Sequence, residues 1–283
     1  MKLRIGRISY LNLLPIFRTL ELERDCSGYE FVDGYPSALN AMLREGRIDV
    51  SPSSSIEYLR RPGDYYLIDG HSISSMGAIE SILLFSRVPL NELGGREIFV
   101  TNQSETSTAL LEVILRKFDG LDCSISVSGM PFDEAIRCHL AFLAIGDEAL
   151  KALYTSQGVK EECLRPGCTF RLVGSERYFV YDLGEVWYER TGLPFVFALW
   201  IARKDLPDSK KTLLEKLVRD IDFAKEESSR RFAELASGVD FAMPAEDIVK
   251  YWKRISYDLT GRHREGLELF RSYLAELGLL MRE

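Results

Sequence analysis

Polar side chains that could bind a small anion follow the first predicted strand of this chain. Ser9-Tyr10-Leu11-Asn12 comes directly after Lys2–Ile8, whose alternation of apolar and basic residues is typical of a strand. Pro15 then marks a helix start, because its fixed φ suits the first helical turn. Ligands of α/β proteins usually bind beyond the carboxyl ends of strands. Ser9 and Asn12 are therefore candidate ligand-binding residues.

A second group of polar residues is rich in serine. Ser51-Pro52-Ser53-Ser54-Ser55 follows the strand pattern of Ile48–Val50 and precedes a short helical pattern. Capping of the helix start explains one or two of these serines. Because the N-terminus of a helix also binds carboxylate or phosphate, we expect Ser54 and Ser55 to contact an anionic ligand, with capping alone as the alternative.

The same combination recurs near the middle of the chain. Glu97–Thr101 has the pattern of a strand, and the helix after it begins with Ser104 as the predicted N-cap. Thr106 and Ser107 lie in the first turn of that helix. Two helix starts of this kind suit a ligand with two carboxylates, so both residues are candidates for binding it.

A further strand pattern ends next to a glycine and an acid. Leu140–Ile145 is almost continuously apolar, and Gly146 after it permits close approach of a ligand to the backbone. Asp147 is then either the N-cap of the following helix or a polar group that takes part in catalysis. Gly146 is a candidate binding residue and Asp147 a candidate catalytic residue.

The composition excludes several classes of protein. A net charge of −7 over 283 residues argues against binding to nucleic acid or anionic membranes, since both need a basic surface. The three histidines form no metal-binding motif, and no glycine-rich phosphate loop follows a strand. We therefore expect no metal, nucleotide or other cofactor, and a small molecule as the partner.

Cysteine usage and hydropathy predict a cytoplasmic protein. The five cysteines are an odd number without metal-ligand spacing, which favours reduced thiols. The N-terminal stretch lacks the pattern of a secretion signal with a small-residue cleavage site. The longest strongly apolar run, Phe195–Ala202, is too short to span a bilayer.

The order of predicted elements favours a mixed α/β fold with two lobes. Short apolar strands alternate with helices up to Arg203, after which the pattern is helical throughout. The most strand-like runs, Ser81–Ser86 and Phe195–Arg203, enclose a domain-sized block with its own βαβ pattern. We expect residues 1–86 and 196–283 to form one lobe and residues 87–195 an inserted second lobe, with a hinge and a central cleft. The alternative is one continuous open sheet.

Four segments of the chain form a pattern that is specific when they are taken together. They are Ile8–Pro15, Asp49–Tyr58, Ile145–Leu150 and Tyr181–Ala198. In this order the segments resemble the chorismate dehydratases of the futalosine route to menaquinone. The resemblance covers most of the chain and weakens in the C-terminal helices.

The resemblance implies a fold like that of the type II periplasmic binding proteins, without secretion. It also implies a lyase that eliminates water from chorismate to give 3-[(1-carboxyvinyl)oxy]benzoate. Asn12 resembles the family's key polar residue, whose amide can hydrogen-bond to the leaving hydroxyl. The expected base is the substrate's own enolpyruvyl carboxylate, with Asp147 as the alternative on the protein. Ser81 is a further candidate for substrate binding.

Two positions depart from the family pattern. Leu13 stands where a small polar residue is more usual, and Glu80 stands where glycine is expected. A carboxylate at Glu80 would either repel an anionic ligand or take part in binding it.

Two other functions share the expected fold and donors. An enzyme that forms 1,4-dihydroxy-6-naphthoate in the same pathway is expected to have a histidine where this chain has Asp147, whereas His139 lies at the start of the preceding strand. A non-catalytic cytoplasmic protein that binds a dicarboxylate would need the same donors without the chemistry.

Overall fold

The computed structural model describes residues 2–158 and 168–280, in which strands and helices alternate along the chain. The strands are β1 (Leu3–Ile8), β2 (Tyr29–Gly34), β3 (Val50–Ser54), β4 (Tyr65–Ser75), β5 (Ile82–Ser86), β6 (Glu97–Thr101), β7 (Ser124–Ser128), β8 (Ala141–Ile145), β9 (Gln157–Gly158), β10 (Cys168–Val173), β11 (Glu176–Asp182), β12 (Phe195–Arg203) and β13 (Ile255–Leu259). The α-helices are α1 (Leu14–Glu23), α2 (Pro36–Arg44), α3 (Ser55–Arg60), α4 (Glu105–Glu112), α5 (Phe132–Cys138), α6 (Gly146–Thr155), α7 (Leu183–Thr191), α8 (Asp208–Arg230), α9 (Phe232–Ser237), α10 (Ala245–Arg254) and α11 (Gly261–Glu276). A 3₁₀ turn covers Leu90–Glu92, and a π-helical segment, Val113–Phe118, continues α4.

The chain divides into two compact units, each made of two segments. Unit 1 comprises Met1–Ile73 and Phe197–Leu259, and unit 2 comprises Ser74–Val196 and Thr260–Glu283. The chain therefore leaves unit 1 within β4, returns to it within β12, and leaves it again before α11.

Unit 1 contains a six-stranded sheet in the order β13-β4-β12-β3-β1-β2. Strand β1 pairs in parallel with β2 and β3, and β12 pairs antiparallel with β3. All residues of β3 are buried, as are those of β12 except the last. These two strands lie at the centre of the sheet. The parallel pairing puts the carboxyl ends of β1 and β3 at one edge of the sheet.

Unit 2 contains a seven-stranded sheet in the order β7-β6-β8-β5-β11-β10-β9. Strand β6 pairs in parallel with β7 and β8, whereas β5 pairs antiparallel with β8 and β11. The core of this unit is apolar and aromatic, and it includes Phe85, Phe132, Phe142, Tyr178 and Val180. As predicted, Glu97–Thr101 and the first strand lie in different sheets.

The predicted lobe boundaries differ from the observed units in two segments. Residues 74–86 belong to unit 2, because β5 forms its ladders with β8 and β11. The C-terminal helix also belongs to unit 2, because Phe270 packs on Trp187 and Tyr273 packs on Phe118. Trp187 also packs on Phe195, so aromatic residues from both segments of unit 2 fill this core.

The C-terminal third contains a strand that the sequence analysis missed. The helical pattern predicted after Arg203 is interrupted by β13, which lies at the edge of the unit 1 sheet. A five-residue strand between two amphipathic helices gives too short a period-two pattern to stand out. The helical region before it also contains a break, since α8 ends at Arg230 and α9 begins at Phe232.

The prediction of reduced thiols holds for some of the cysteines. Cys26, Cys123 and Cys138 are free, but Cys168 is disulfide-bonded, so the prediction is wrong there. Spacing along the chain does not reveal which thiols the fold brings within bonding distance. Cys163 lies outside the described residues. In residues 2–158 and 168–280, no helix is both long and apolar enough to cross a membrane.

Candidate functional site

Asn12 lies in a turn between β1 and α1, as the sequence predicts. The turn is closed by a hydrogen bond from the Leu13 N–H to the Tyr10 carbonyl, at 3.2 Å, and Pro15 lies in the first turn of the helix. The amide oxygen Oδ1 of Asn12 is buried, and no described residue donates a hydrogen bond to it. A buried acceptor without a donor costs about 1–3 kcal/mol, so this atom is suited to accept a hydrogen bond from a ligand.

The serine-rich segment is placed differently from the prediction. The strand expected to end at Val50 instead begins there, so Ser51 and Ser53 belong to β3. Ser54 occupies the N-cap position of α3, but its side chain makes no capping hydrogen bond. The strand therefore continues beyond its predicted end, the short helix follows it as predicted, and contact of Ser54 and Ser55 with an anionic ligand remains a prediction.

Asn40 fixes the hydroxyl of Ser54. The Asn40 Nδ2 donates to Ser54 Oγ at 2.6 Å, and both residues are buried. Because Ser54 Oγ accepts this bond, its own O–H remains able to donate in another direction. Ser53 Oγ and Asn40 Oδ1 are buried as well, and neither has a hydrogen-bond partner among the described residues. Asn40, in α2, was not identified from the sequence, where nothing places it next to the serines.

The Asn12 turn and Ser54 lie at the same end of the unit 1 sheet. Ile5 of β1 is in register with Val50 of the parallel strand β3. Both strands run in the same direction, so Ser54, the last residue of β3, and Asn12, which follows β1, lie at neighbouring strand ends. This is the position at which α/β sheets usually bind ligands. Ser55, the first residue of α3, is fully buried at the same edge.

Ser9 lies in a more exposed environment. Its hydroxyl donates to Asp33 Oδ1 at 3.3 Å, and Arg7 Nε donates to the same oxygen at 2.6 Å. The hydrogen bond from Arg7 lowers the pKa of the Asp33 carboxyl. These residues line a surface pocket of about 580 Å³ together with Tyr10 and Arg18. The role of Ser9 in substrate binding remains a prediction.

In unit 2, Ser104 is the N-cap of α4, as predicted. Its Oγ accepts a hydrogen bond from the Ser107 N–H at 3.3 Å, and the two hydroxyl oxygens are 3.0 Å apart. Thr106 and Ser107 are both buried. Capping accounts for Ser104, and contact of Thr106 and Ser107 with a ligand remains a prediction.

Ser81 and Gly146 are brought together at one end of the β5–β8 pair. The Gly146 N–H donates to the Ser81 carbonyl at 2.7 Å, and Gly146 has a φ of +60°, which favours glycine. Asp147 lies in the first turn of α6 and is half-buried. The N-cap of this helix is Ile145, so the alternative prediction of Asp147 as N-cap is wrong.

Asp182 accepts hydrogen bonds from four backbone N–H groups, a structural role that was not identified from the sequence. Its carboxylate accepts hydrogen bonds from Ile79 and Glu80, at 2.6–3.2 Å, and from Gly184 and Glu185, at 2.9 and 3.2 Å. The last two of these cap α7. Burial raises the pKa of Asp182 to about 6, although the backbone hydrogen bonds oppose this effect.

The Asp182 carboxylate and the four N–H groups that it binds form a clamp, which holds Glu80 in an unusual conformation. Glu80 has a φ of +61°, in the left-handed region, where residues other than glycine are strained. The structure thus gives a physical reason why the family pattern has glycine at this position. The neighbouring Ser81 is buried, so the clamp fixes the backbone that leads into this candidate binding residue.

Among residues 2–158 and 168–280, no group of three or more His, Cys, Asp or Glu side chains is arranged to hold a metal ion.

Comparison with known proteins identifies relatives along nearly the whole chain. A family model described as menaquinone biosynthesis matches residues 3–276. A chorismate dehydratase of Thermus thermophilus is 28% identical over 284 residues, covering 95% of this chain and 94% of that protein.

Solved structures establish the fold. The protein AF1704 of Archaeoglobus fulgidus superposes with a TM-score of 0.69 at 18% identity, covering 98% of each chain. The CA3427 gene product of Candida albicans, described as having the generic periplasmic binding protein fold, gives a TM-score of 0.60 at 12% identity, covering 100% of this chain and 92% of that one. The fold is therefore that of the periplasmic binding proteins, as the sequence predicts.

Proposed function

This chain belongs to the menaquinone biosynthesis family, and on that premise we propose that it is a chorismate dehydratase, a lyase acting on a small molecule. Its relative in Thermus thermophilus has this name and matches 95% of the chain. The structural observation that supports the proposal is the buried Oδ1 of Asn12, which has no hydrogen-bond donor among the described residues.

The reaction is an elimination that makes the ring aromatic. The C–H bond at the ring carbon that bears the enolpyruvyl ether breaks, and its proton goes to a base. The C–O bond of the neighbouring hydroxyl breaks as well, and the proton held by the base is passed to the departing oxygen, so that one water leaves and the base is regenerated. The product, 3-[(1-carboxyvinyl)oxy]benzoate, retains the ether and both carboxylates. Aromatisation supplies the driving force. The overall step is redox-neutral because only the elements of water leave.

Asn12 fits the leaving hydroxyl of chorismate. At neutral pH this hydroxyl is the O–H donor of the substrate, whose carboxylates are acceptors only. We propose that it donates to Asn12 Oδ1 and so provides the hydrogen bond that this atom does not receive from the described residues. The Asn12 amide N–H can then donate to the departing oxygen, although an amide cannot act as a general base. The role of Asn12 is thus to orient and stabilise the leaving group.

Donors to the ring carboxylate would stabilise the developing negative charge. The carbon that loses the proton is connected to this carboxylate through one C=C bond. The transition state therefore has dienolate character. Preorganised hydrogen bonds to the carboxylate are stronger in that state than in the bound substrate. Ser54 is suited to this role, because Asn40 already donates to its oxygen and leaves the hydroxyl proton available.

The base is proposed to be the enolpyruvyl carboxylate of the substrate. This group is attached through the ether to the carbon that loses the proton, so binding in a folded conformation brings the two together. Asp147 is the alternative base on the protein. Substrate analogues without the enolpyruvyl carboxylate would distinguish the two, since only an Asp147 mechanism would permit their dehydration.

Incubation of the purified protein with chorismate tests the proposal. Consumption of chorismate and formation of an aromatic product lighter by one water, measured by liquid chromatography and mass spectrometry, are expected. Chorismate that is bound but recovered unchanged would identify a non-catalytic binding protein instead. Turnover after exhaustive chelation is expected to be unchanged.

Ser54→Ala and Thr106→Val, each taken alone, are expected to weaken substrate binding about tenfold or more. Each removes a proposed hydrogen bond to a carboxylate, which is worth about 1.5–3 kcal/mol. The Michaelis constant of each variant measures the loss.

Ser228→Ala is the matched control for Ser54→Ala. Ser228 is also fully buried in unit 1, but its hydroxyl donates to the Lys225 carbonyl within α8. The control is expected to bind chorismate normally. If Ser54→Ala and Thr106→Val lower the unfolding midpoint but bind normally, both residues have a structural role only.

A further inference from the structure

The backbone of the Asn12 turn accepts hydrogen bonds from two side chains of the C-terminal part of unit 1. Trp252 Nε1 donates to the Leu11 carbonyl at 2.8 Å. Tyr257 Oη donates to the Asn12 carbonyl at 2.5 Å. The two donors come from different elements, α10 and β13, so the turn is fixed at two successive carbonyls.

Core packing holds Trp252 in place, and the sheet holds Tyr257. Trp252 is fully buried, and its ring lies 5.4 Å from the ring of Phe232 in α9. Tyr257 lies at the centre of β13, the edge strand of the unit 1 sheet. Burial raises the pKa of the Tyr257 phenol, which therefore stays protonated and remains a donor at neutral pH.

The Asn12 side chain depends on its backbone for orientation. No described residue donates to its Oδ1, so that atom does not fix the position of the amide. The direction in which the amide points is then set by the backbone of the turn. A tilt of this peptide would move the amide away from the reacting hydroxyl, and misplacement by about 1 Å can cost about a hundredfold in rate.

We propose that Tyr257 is a positioning residue for the dehydration, which acts by holding the Asn12 carbonyl and thereby orienting the Asn12 amide. Trp252 supports the same turn through the Leu11 carbonyl. The inference rests on the proposed function and deepens it, since it assigns part of the catalytic geometry to β13.

Tyr257→Phe tests the proposal, because it removes one oxygen and keeps the ring. The expected result is a kcat lowered about tenfold or more with a KM within about threefold of the wild-type value, since orientation matters most in the transition state. Tyr29→Phe is the control. It removes another phenol of unit 1, one that donates to Asp220 Oδ2 at 2.7 Å, away from the turn. The control is expected to lower the unfolding midpoint and to leave kcat unchanged.

A double-mutant cycle separates positioning from general stabilisation. In an Asn12→Ala background, Tyr257→Phe is expected to cause no further loss of kcat, because the group that it orients is gone. Kinetics are measured well below the lowest unfolding midpoint, so that every variant is folded. A Tyr257→Phe enzyme with wild-type kcat, or the same loss in both backgrounds, would overturn the positioning role. A folded wild-type protein that does not convert chorismate would overturn the proposed function and this role with it.

Discussion

Asn12→Ala is expected to be folded, to bind chorismate, and to turn it over at least about a hundredfold more slowly than the wild type. The amide is proposed to act on the hydroxyl as it leaves, and removal of one preorganised donor of this kind typically costs about 10²–10³ in rate. An interaction made mainly in the transition state affects kcat more than KM. Steady-state kinetics with chorismate measures both.

The stability of Asn12→Ala provides an independent check. Because Asn12 Oδ1 is buried and receives no hydrogen bond from the described residues, its removal is expected to leave the unfolding midpoint unchanged or to raise it. Asn91→Ala is a suitable control, since it removes an exposed amide in unit 2 and is expected to change neither property. Asn12→Asp is expected to be no more active than Asn12→Ala, because a carboxylate at position 12 repels a dianionic substrate. Near-normal turnover by folded Asn12→Ala would exclude Asn12 from the mechanism.

Asp182→Ala is expected to lower the free energy of unfolding by at least about 3 kcal/mol. The change removes the acceptor of four backbone N–H groups, and each buried donor left unpaired costs about 1–3 kcal/mol. It also removes the N-cap of α7, which is worth about 1 kcal/mol. Chemical denaturation monitored by tryptophan fluorescence measures the loss, because Trp187 is buried in that helix.

Asp33→Ala provides the contrast. Its carboxylate is 54% exposed and paired with Arg7, and an exposed ion pair contributes at most about 1 kcal/mol. An Asp182→Ala protein as stable as Asp33→Ala would show that water replaces the carboxylate and that the clamp has little structural importance.

The pH dependence of unfolding follows from the same residue. Burial raises the pKa of Asp182 to about 6, above its value in the unfolded chain, so the folded state binds its proton more tightly. The contribution of Asp182 is therefore largest below about pH 4 and declines as the pH rises through about 6. Comparison of unfolding curves of the wild type and Asp182→Ala across this range isolates that contribution.

The sequence predicted the elements with strong local patterns and missed those defined by pairing. The strands Glu97–Thr101 and Phe195–Arg203 have the predicted bounds, because their apolar runs are distinct from the flanking turns. Other strands were missed because polar residues interrupt their apolar patterns and they depend on their neighbours in the sheet; they are β2, β4, β10, β11 and β13. The predicted lobe boundary after residue 86 was displaced for the same reason, since β5 pairs with strands of the unit 2 sheet.

The position of a candidate residue was predicted where local order defines it, and its contacts were missed where distant segments meet. The location of Asn12 follows from a strand, a turn and Pro15, which are consecutive in the sequence. Asn40 donates to Ser54 across 14 residues and Tyr257 donates to the Asn12 carbonyl across 245 residues, contacts that the sequence does not reveal. Glu80 was noticed because it departs from the family pattern, and its left-handed φ explains why glycine is expected there.

Turnover of chorismate deuterated at the ring carbon that bears the enolpyruvyl ether tests the central claim most directly. The wild-type protein is expected to give a benzoate that retains the enolpyruvyl group and contains no deuterium at that carbon, with one water released for each chorismate consumed. Proton nuclear magnetic resonance and mass spectrometry of the product measure both properties. Recovery of unchanged chorismate, release of pyruvate, or deuterium retained in the product would contradict the proposed dehydration.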